Sequence, residues 1–159
     1  HLPLNFGEKN SMERKNILLV ATALITGCSL PSTVDKKTDE TTIEVTHHNY
    51  FEIEDKSVAW NKVFEVPELN YFLYYYSPSC SHCSDLKDWI IEQALIRGDI
   101  YFVKASENDV ITKNTDSSIG ATTSDQISIL GYPSMIQIEN KKVIKNVAGK
   151  TKIQQLLTN

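Results

Sequence analysis

The chain predicts an α/β fold, a central mixed β-sheet flanked by helices. Three observations point there. Tyr71–Tyr76 is a continuous aromatic and aliphatic run, followed by a helical pattern and then by a short apolar run at Ile100–Val103. Residues 135–147 alternate in polarity on either side of an Asn140-Lys141 turn, and residues 151–157 close the chain with Ile153, Leu156 and Leu157 on one helical face. Strand, helix, strand implies a parallel pair joined by a right-handed crossover, and the hairpin adds antiparallel strands, so the sheet is mixed.

With 159 residues the chain builds one hydrophobic core and is too short for two comfortable domains. A hydrophobic content of 41% excludes wholesale disorder, and a net charge of -4 excludes the basic footprint of a nucleic-acid-binding protein. No nucleic-acid partner is expected.

The elements follow in order. Arg14 and Lys15 are basic, Ile17–Ile25 is almost unbroken apolar sequence, and Thr26-Gly27 supplies small residues before Cys28. A membrane span needs about 20 apolar residues, roughly twice this run, so the segment reads as a signal peptide. Ile25-Thr26-Gly27-Cys28 resembles a bacterial lipobox, which implies lipidation of Cys28 and an extracytoplasmic protein anchored to the cell membrane. Met12 reads as the start of this segment, which sets His1–Ser11 apart from the fold. The expected organisation is a lipoprotein signal peptide at 12–27, a flexible tether at 28–42 and a folded domain at 43–159. The tether is polar, and a coil of about 14 residues spans on the order of 20 Å, enough to lift a domain off a lipid surface.

Within the domain, Ile43–Val45 alternates like a short strand. Ser57–Phe64 carries Val58, Trp60, Val63 and Phe64 as a loose helical stripe with Ser57 as its cap. Tyr71–Tyr76 predicts a strand buried on both faces. Pro78 ends it, and Ser79 is placed to cap a helix that starts at Cys80 and runs to Gly98, with Cys83, Leu86, Ile90 and Ala94 at helical spacing. Ile100–Val103 is the next strand. Residues 106–125 are polar and longer than a usual connection, which leaves room for a short helix or a surface insertion; the solvated loop is the preferred reading, followed by a helical turn at Gln126–Leu130.

Chemistry concentrates in Cys80-Ser81-His82-Cys83. If Cys28 carries lipid, these two thiols are the only remaining pair, and export puts them where disulfides persist. Cys80 opens a helix whose unpaired N–H groups and dipole favour a thiolate, which makes it the exposed nucleophile. Cys83, one turn deeper, would resolve the resulting mixed disulfide. A protonated His82 would stabilise the Cys80 thiolate. A purely structural disulfide is a poor explanation, because so short a loop gains little from cross-linking. A zinc site with His82, His47 or His48 lacks the second Cys-x-x-Cys that such sites usually carry, so no metal is expected.

The order β, α, β, α, β, β, α, with Cys-x-x-Cys opening the second helix, resembles the thioredoxin fold over about Ile43–Leu157. The match is closest at Tyr74–Cys83 and at Gly131-Tyr132-Pro133-Ser134, which is similar to the Gly-Tyr-Pro-Thr segment of protein disulfide isomerase domains. The resemblance implies a cis Tyr132-Pro133 bond facing the active disulfide, and a thiol-disulfide oxidoreductase acting on protein thiols or disulfides. It implies no cofactor beyond the Cys80–Cys83 disulfide and an unidentified redox partner. Cys80, Cys83, His82 and Pro133 are the expected catalytic residues, and Tyr132, Ser79 and Ser81 the expected substrate-binding ones. One position departs from the family. Where thioredoxins place a buried acid, this chain has Tyr74, a poor base at neutral pH. That departure supports the alternative of a non-enzymatic surface lipoprotein with a thioredoxin-like binding domain.

Overall fold

The central run of tyrosines is buried because each of its two faces meets its own apolar layer. The computed structural model describes residues 46–159. The signal segment, Cys28, the tether and the strand expected at Ile43–Val45 lie outside the described residues.

Four strands form one sheet: β1 (Tyr71–Tyr76), β2 (Ile100–Lys104), β3 (Ser134–Glu139) and β4 (Lys142–Ala148), in the order β2-β1-β3-β4. β1 is parallel to β2 and antiparallel to β3, and β3 pairs antiparallel with β4. Tyr74 stands opposite both Phe102 and Met135, at the centre of the sheet. Because side chains alternate along a strand, β1 serves two layers. Phe72, Tyr74 and Tyr76 pack with Ile100, Phe102 and Met135 against Leu86, Ile90, Ile91, Ala94, Ile153 and Leu157. Tyr71, Leu73 and Tyr75 pack with Trp60, Val63, Val66, Ile127 and Ile129. The Asn140-Lys141 hairpin turn has φ of 49° and 60°, the paired left-handed conformation that matches strand twist.

The first layer is helical. It holds α1 (Ser81–Ser84), α2 (Lys87–Arg97) and α3 (Lys150–Thr158). Gly98 ends α2 with φ 76° and returns its N–H to the Ala94 carbonyl, a left-handed cap that suits glycine. A single helix from Cys80 to Gly98 is not what forms. The Leu86 N–H bonds to the Cys83 carbonyl at 3.2 Å, a tighter turn that breaks the α register. Lys150 Nζ donates to the Asp85 carbonyl at this break, at 3.3 Å.

The second layer contains no α-helix among the described residues. The stripe at Ser57–Phe64 forms only a 3-10 turn at Trp60–Lys62. Ser57 instead bridges in parallel to Phe102, and the Val58 N–H donates to the Phe102 carbonyl at 2.9 Å. Unpaired backbone groups on the open edge of β2 outcompete a weak helical stripe. The turn expected at Gln126–Leu130 lies at Ser124–Gln126; Ile127 is extended and Ile129 forms an isolated β-bridge. Ile129 pairs with Ile111, its N–H donating to the Val110 carbonyl and its carbonyl accepting from the Thr112 N–H.

The insertion is correspondingly not a free solvated loop. Ser118 is fully buried, and its Oγ accepts from the Ser128 N–H at 2.8 Å and donates to the Ser128 carbonyl at 2.9 Å. Asn146 on β4 donates to that carbonyl at 2.7 Å. The segment is thus tied to the sheet by a buried polar cluster, which short hydrophobic patterns do not reveal.

Candidate functional site: a thiol pair facing a cis proline

β1 ends at Tyr76, and Ser77-Pro78-Ser79 carry the chain from the end of this central strand to Cys80. The Cys80 N–H donates to the Ser77 carbonyl at 3.1 Å. Cys80 is itself the N-cap of α1, and its carbonyl accepts from the N–H groups of Cys83 and Ser84 at 3.1 and 3.2 Å. Ser79 does not cap the helix. Its hydroxyl is 3.0 Å from that of Ser77, because the turn places the preceding serine closer than the helical N–H groups.

Both cysteines are free thiols. Cys80 is half-buried, and its Sγ donates to the Tyr132 carbonyl at 3.4 Å. The Tyr132-Pro133 bond is cis. The loop is held by Ser134 Oγ donating to the Gly131 carbonyl at 2.6 Å and by the Gly149 N–H donating to the Pro133 carbonyl at 2.9 Å. The structure therefore brings Cys80, Cys83, Tyr132 and Pro133 together. Ser79, Ser81 and His82 are exposed around them, and no hydrogen bond joins His82 to Cys80 among the described residues.

Cys83 differs sharply from its partner. It is 1% exposed. Burial first, then its hydrogen bond with Cys80, pushes its thiol up to about 12. A buried neutral thiol behind a half-exposed one is the arrangement needed for an attacking and a resolving sulfur.

Two residues at the site lie outside the set expected from the sequence. Tyr50 stacks on Tyr76 with ring centroids 4.3 Å apart, and burial and then Tyr76, Cys83 and Cys80 push its ionisation upward. It stands at the start of a 3-10 helix, Tyr50–Lys56, opened by a capping box between Asn49 and Glu52. That Asn-x-x-Glu spacing is a readable signal. Asp109, from the insertion, accepts hydrogen bonds from the Tyr132 hydroxyl and, at 2.6 Å, from Ser106 Oγ. Nothing local marks it.

His47 and His48, considered above as metal ligands, pin the start of the described chain to α2. His47 lies 3.1 Å from Asp88, and the largely buried His48 ring lies 2.8 Å from Glu52. Among the described residues, no group of three His, Cys, Asp or Glu side chains converges as a metal site would require.

The site and its surroundings are crowded with phenols held neutral. Burial raises Tyr50, Tyr74, Tyr75 and Tyr132 above the usual range, and pushes Tyr71 up to about 12. A group whose folded pKa is raised retains its proton in the native state where the unfolded chain would lose it. Its contribution to stability is intact below the unfolded value, about 10 for tyrosine, and is lost as pH rises through the folded one. Denaturant midpoints should therefore fall steeply between about pH 10 and 12, with tyrosinate absorbance rising together with unfolding. Tyrosines that all titrate near 10 in a protein that stays folded would contradict this.

No family model and no curated protein matches the chain. Solved structures similar to it include thioredoxin f2 of Chlamydomonas reinhardtii, at 15% identity over 65% of this chain and 92% of that one, TM-score 0.42. Spinach chloroplast thioredoxin f in its long form is 18% identical over 64% of this chain and 78% of that one, TM-score 0.46. Mitochondrial thioredoxin 3 of Saccharomyces cerevisiae is 10% identical over 64% and 91%, TM-score 0.42. Within this chain, the strand order β2-β1-β3-β4, the thiol pair at the end of the central strand and the helices on one face of a mixed sheet make the fold thioredoxin-like.

Proposed function

We propose that this protein is an exported, lipid-anchored thiol-disulfide oxidoreductase that exchanges disulfides with protein substrates. The observation that carries this reading is the contact of the half-exposed Cys80 Sγ with the Tyr132 carbonyl, with Cys83 buried behind it. Cys80 attacks a substrate disulfide, forming a Cys80–substrate disulfide and releasing the other substrate sulfur as a thiolate. Cys83 then attacks Cys80, closing Cys80–Cys83 and releasing the second substrate sulfur. The pair gives up two electrons and the substrate gains them; the reverse sequence oxidises a dithiol. No cofactor is needed beyond the cysteine pair, and a separate redox partner restores it.

The exposed Ser79, Ser81 and His82 flank the nucleophile on its solvent side, and an extended substrate segment runs along the Tyr132 backbone in strand-like pairing. The anchor rests on the order of basic, apolar and small residues from Met12 to Cys28. The full chain should catalyse insulin reduction by dithiothreitol and, expressed in a bacterium, should partition into detergent in a manner lost in Cys28→Ala. Insulin reduced only at the uncatalysed rate would sink the enzymatic reading and leave a binding module. A chain that stays in the aqueous phase would sink the anchor alone.

A further inference from the structure

We propose that the Tyr74 hydroxyl is the hydrogen-bond donor that receives the charge on Cys83 during the resolving step, in the place where related folds carry an acid. The inference rests on the thiol-exchange reading above.

Tyr74 is fully buried in β1, and its hydroxyl has no hydrogen-bond partner among the described residues. A buried hydroxyl left unpaired is costly to keep. Tyr74 lies in the same core layer as Cys83, each group bears on the other's ionisation, and the hydroxyl makes no hydrogen bond. That is the geometry expected while Cys83 is a neutral thiol, a weak acceptor. A thiolate is a strong one, and a charge-assisted bond forms only when the proton leaves.

The titratable groups that bear on Cys83 are Cys80 beside α1, Tyr74 from β1, Tyr50 from the N-terminal 3-10 helix and Tyr132 from the proline loop. None is a carboxylate able to take the proton. Burial raises the cost of the Cys83 thiolate, and the Tyr74 hydroxyl lowers it. In the resolving step the Cys83 sulfur bonds to Cys80, the bond from Cys80 to the substrate breaks, and the substrate sulfur leaves with the electron pair. The Cys83 proton ends on that departing sulfur through solvent. Charge sits on Cys83 only in transit, so a donor aimed at it stabilises the transition state more than the ground state.

The test uses the reduced full chain and a chromogenic aryl disulfide. Samples are quenched with acid, and the peptide carrying Cys80 and Cys83 is followed by mass as the aryl adduct converts to the internal disulfide. Tyr74→Phe should lengthen the adduct lifetime about tenfold or more and move the rise of resolution to higher pH, with adduct formation unchanged. Tyr75→Phe is the control. It too removes a buried hydroxyl without a partner from β1, but in the opposite core layer, and it should leave both steps at the native rate. Ring-fluorinated tyrosine at position 74, a stronger donor of nearly the same shape, should shorten the lifetime. Resolution at the native rate in Tyr74→Phe, equal slowing of both steps, or equal slowing by Tyr75→Phe would overturn the assignment. A native chain that never forms the adduct at Cys80 would instead remove the exchange reading beneath it.

Discussion

Cys80→Ser should reduce insulin no faster than buffer, while Cys83→Ala should accumulate covalent complexes with its substrates. The asymmetry follows from burial. Cys80 is the half-exposed sulfur, held at the helix start against the Tyr132 carbonyl. Serine keeps the shape of the site but offers a hydroxyl that is a weak nucleophile without an adjacent base. Cys83 is 1% exposed and meets substrate only through Cys80. Its attack is intramolecular, with an effective concentration that reaches about 10⁵ M or more in well-oriented systems. Removing it leaves the mixed disulfide to external thiols, and the complex should survive non-reducing gels and be released by dithiothreitol. Catalysis by Cys80→Ser, or no covalent species from Cys83→Ala, would show that the thiols are not a functional pair.

Leu73→Ala should be the most damaging conservative change in the core. Leu73 sits in the central strand with no exposed surface and packs in the layer opposite the thiols. Truncation of such a residue costs about 2–5 kcal/mol through lost burial and the cavity left behind. Domains of this kind are stable by only about 5–15 kcal/mol, so the melting temperature should drop by roughly 10–20 °C. In the cold, the Cys80 alkylation rate should match that of the native protein, because Cys83 and Tyr74 lie in the other layer. A loss below about 1 kcal/mol would mean that this face is far looser than the packing indicates; loss of thiol reactivity in a folded variant would mean that the two layers are coupled.

The contrast between these substitutions also explains what could be read in advance. Tyr71–Tyr76 announced itself because a strand covered on both faces has no polar alternation to hide it. The hairpin showed through Asn140-Lys141, and α3 through Ile153 and Leu157. The break between α1 and α2 did not show, since Leu86 and Ile90 keep helical spacing on both sides of it. Nor did the bridge at Ile129, which depends on Ile111, nor the insertion's attachment through Ser118, Ser128 and Asn146. The thiol pair and Pro133 stood out as a motif, whereas Tyr50 and Asp109 reach the site only by folding.

Local chemistry was written in the chain itself: the periodicities that make strands and helices, the pair of thiols three residues apart, and the tyrosines of the strand that precedes them. Each depends on neighbours within a turn or two, and short-range sterics and burial settle them. The tertiary structure alone decided which thiol is buried, which carbonyl faces the other, and which distant residues close the site. Those outcomes depend on a sheet that brings positions 50, 74, 109 and 132 around Cys80 and Cys83. Burial and hydrogen bonding between residues so far apart along the chain exist only once the core has formed.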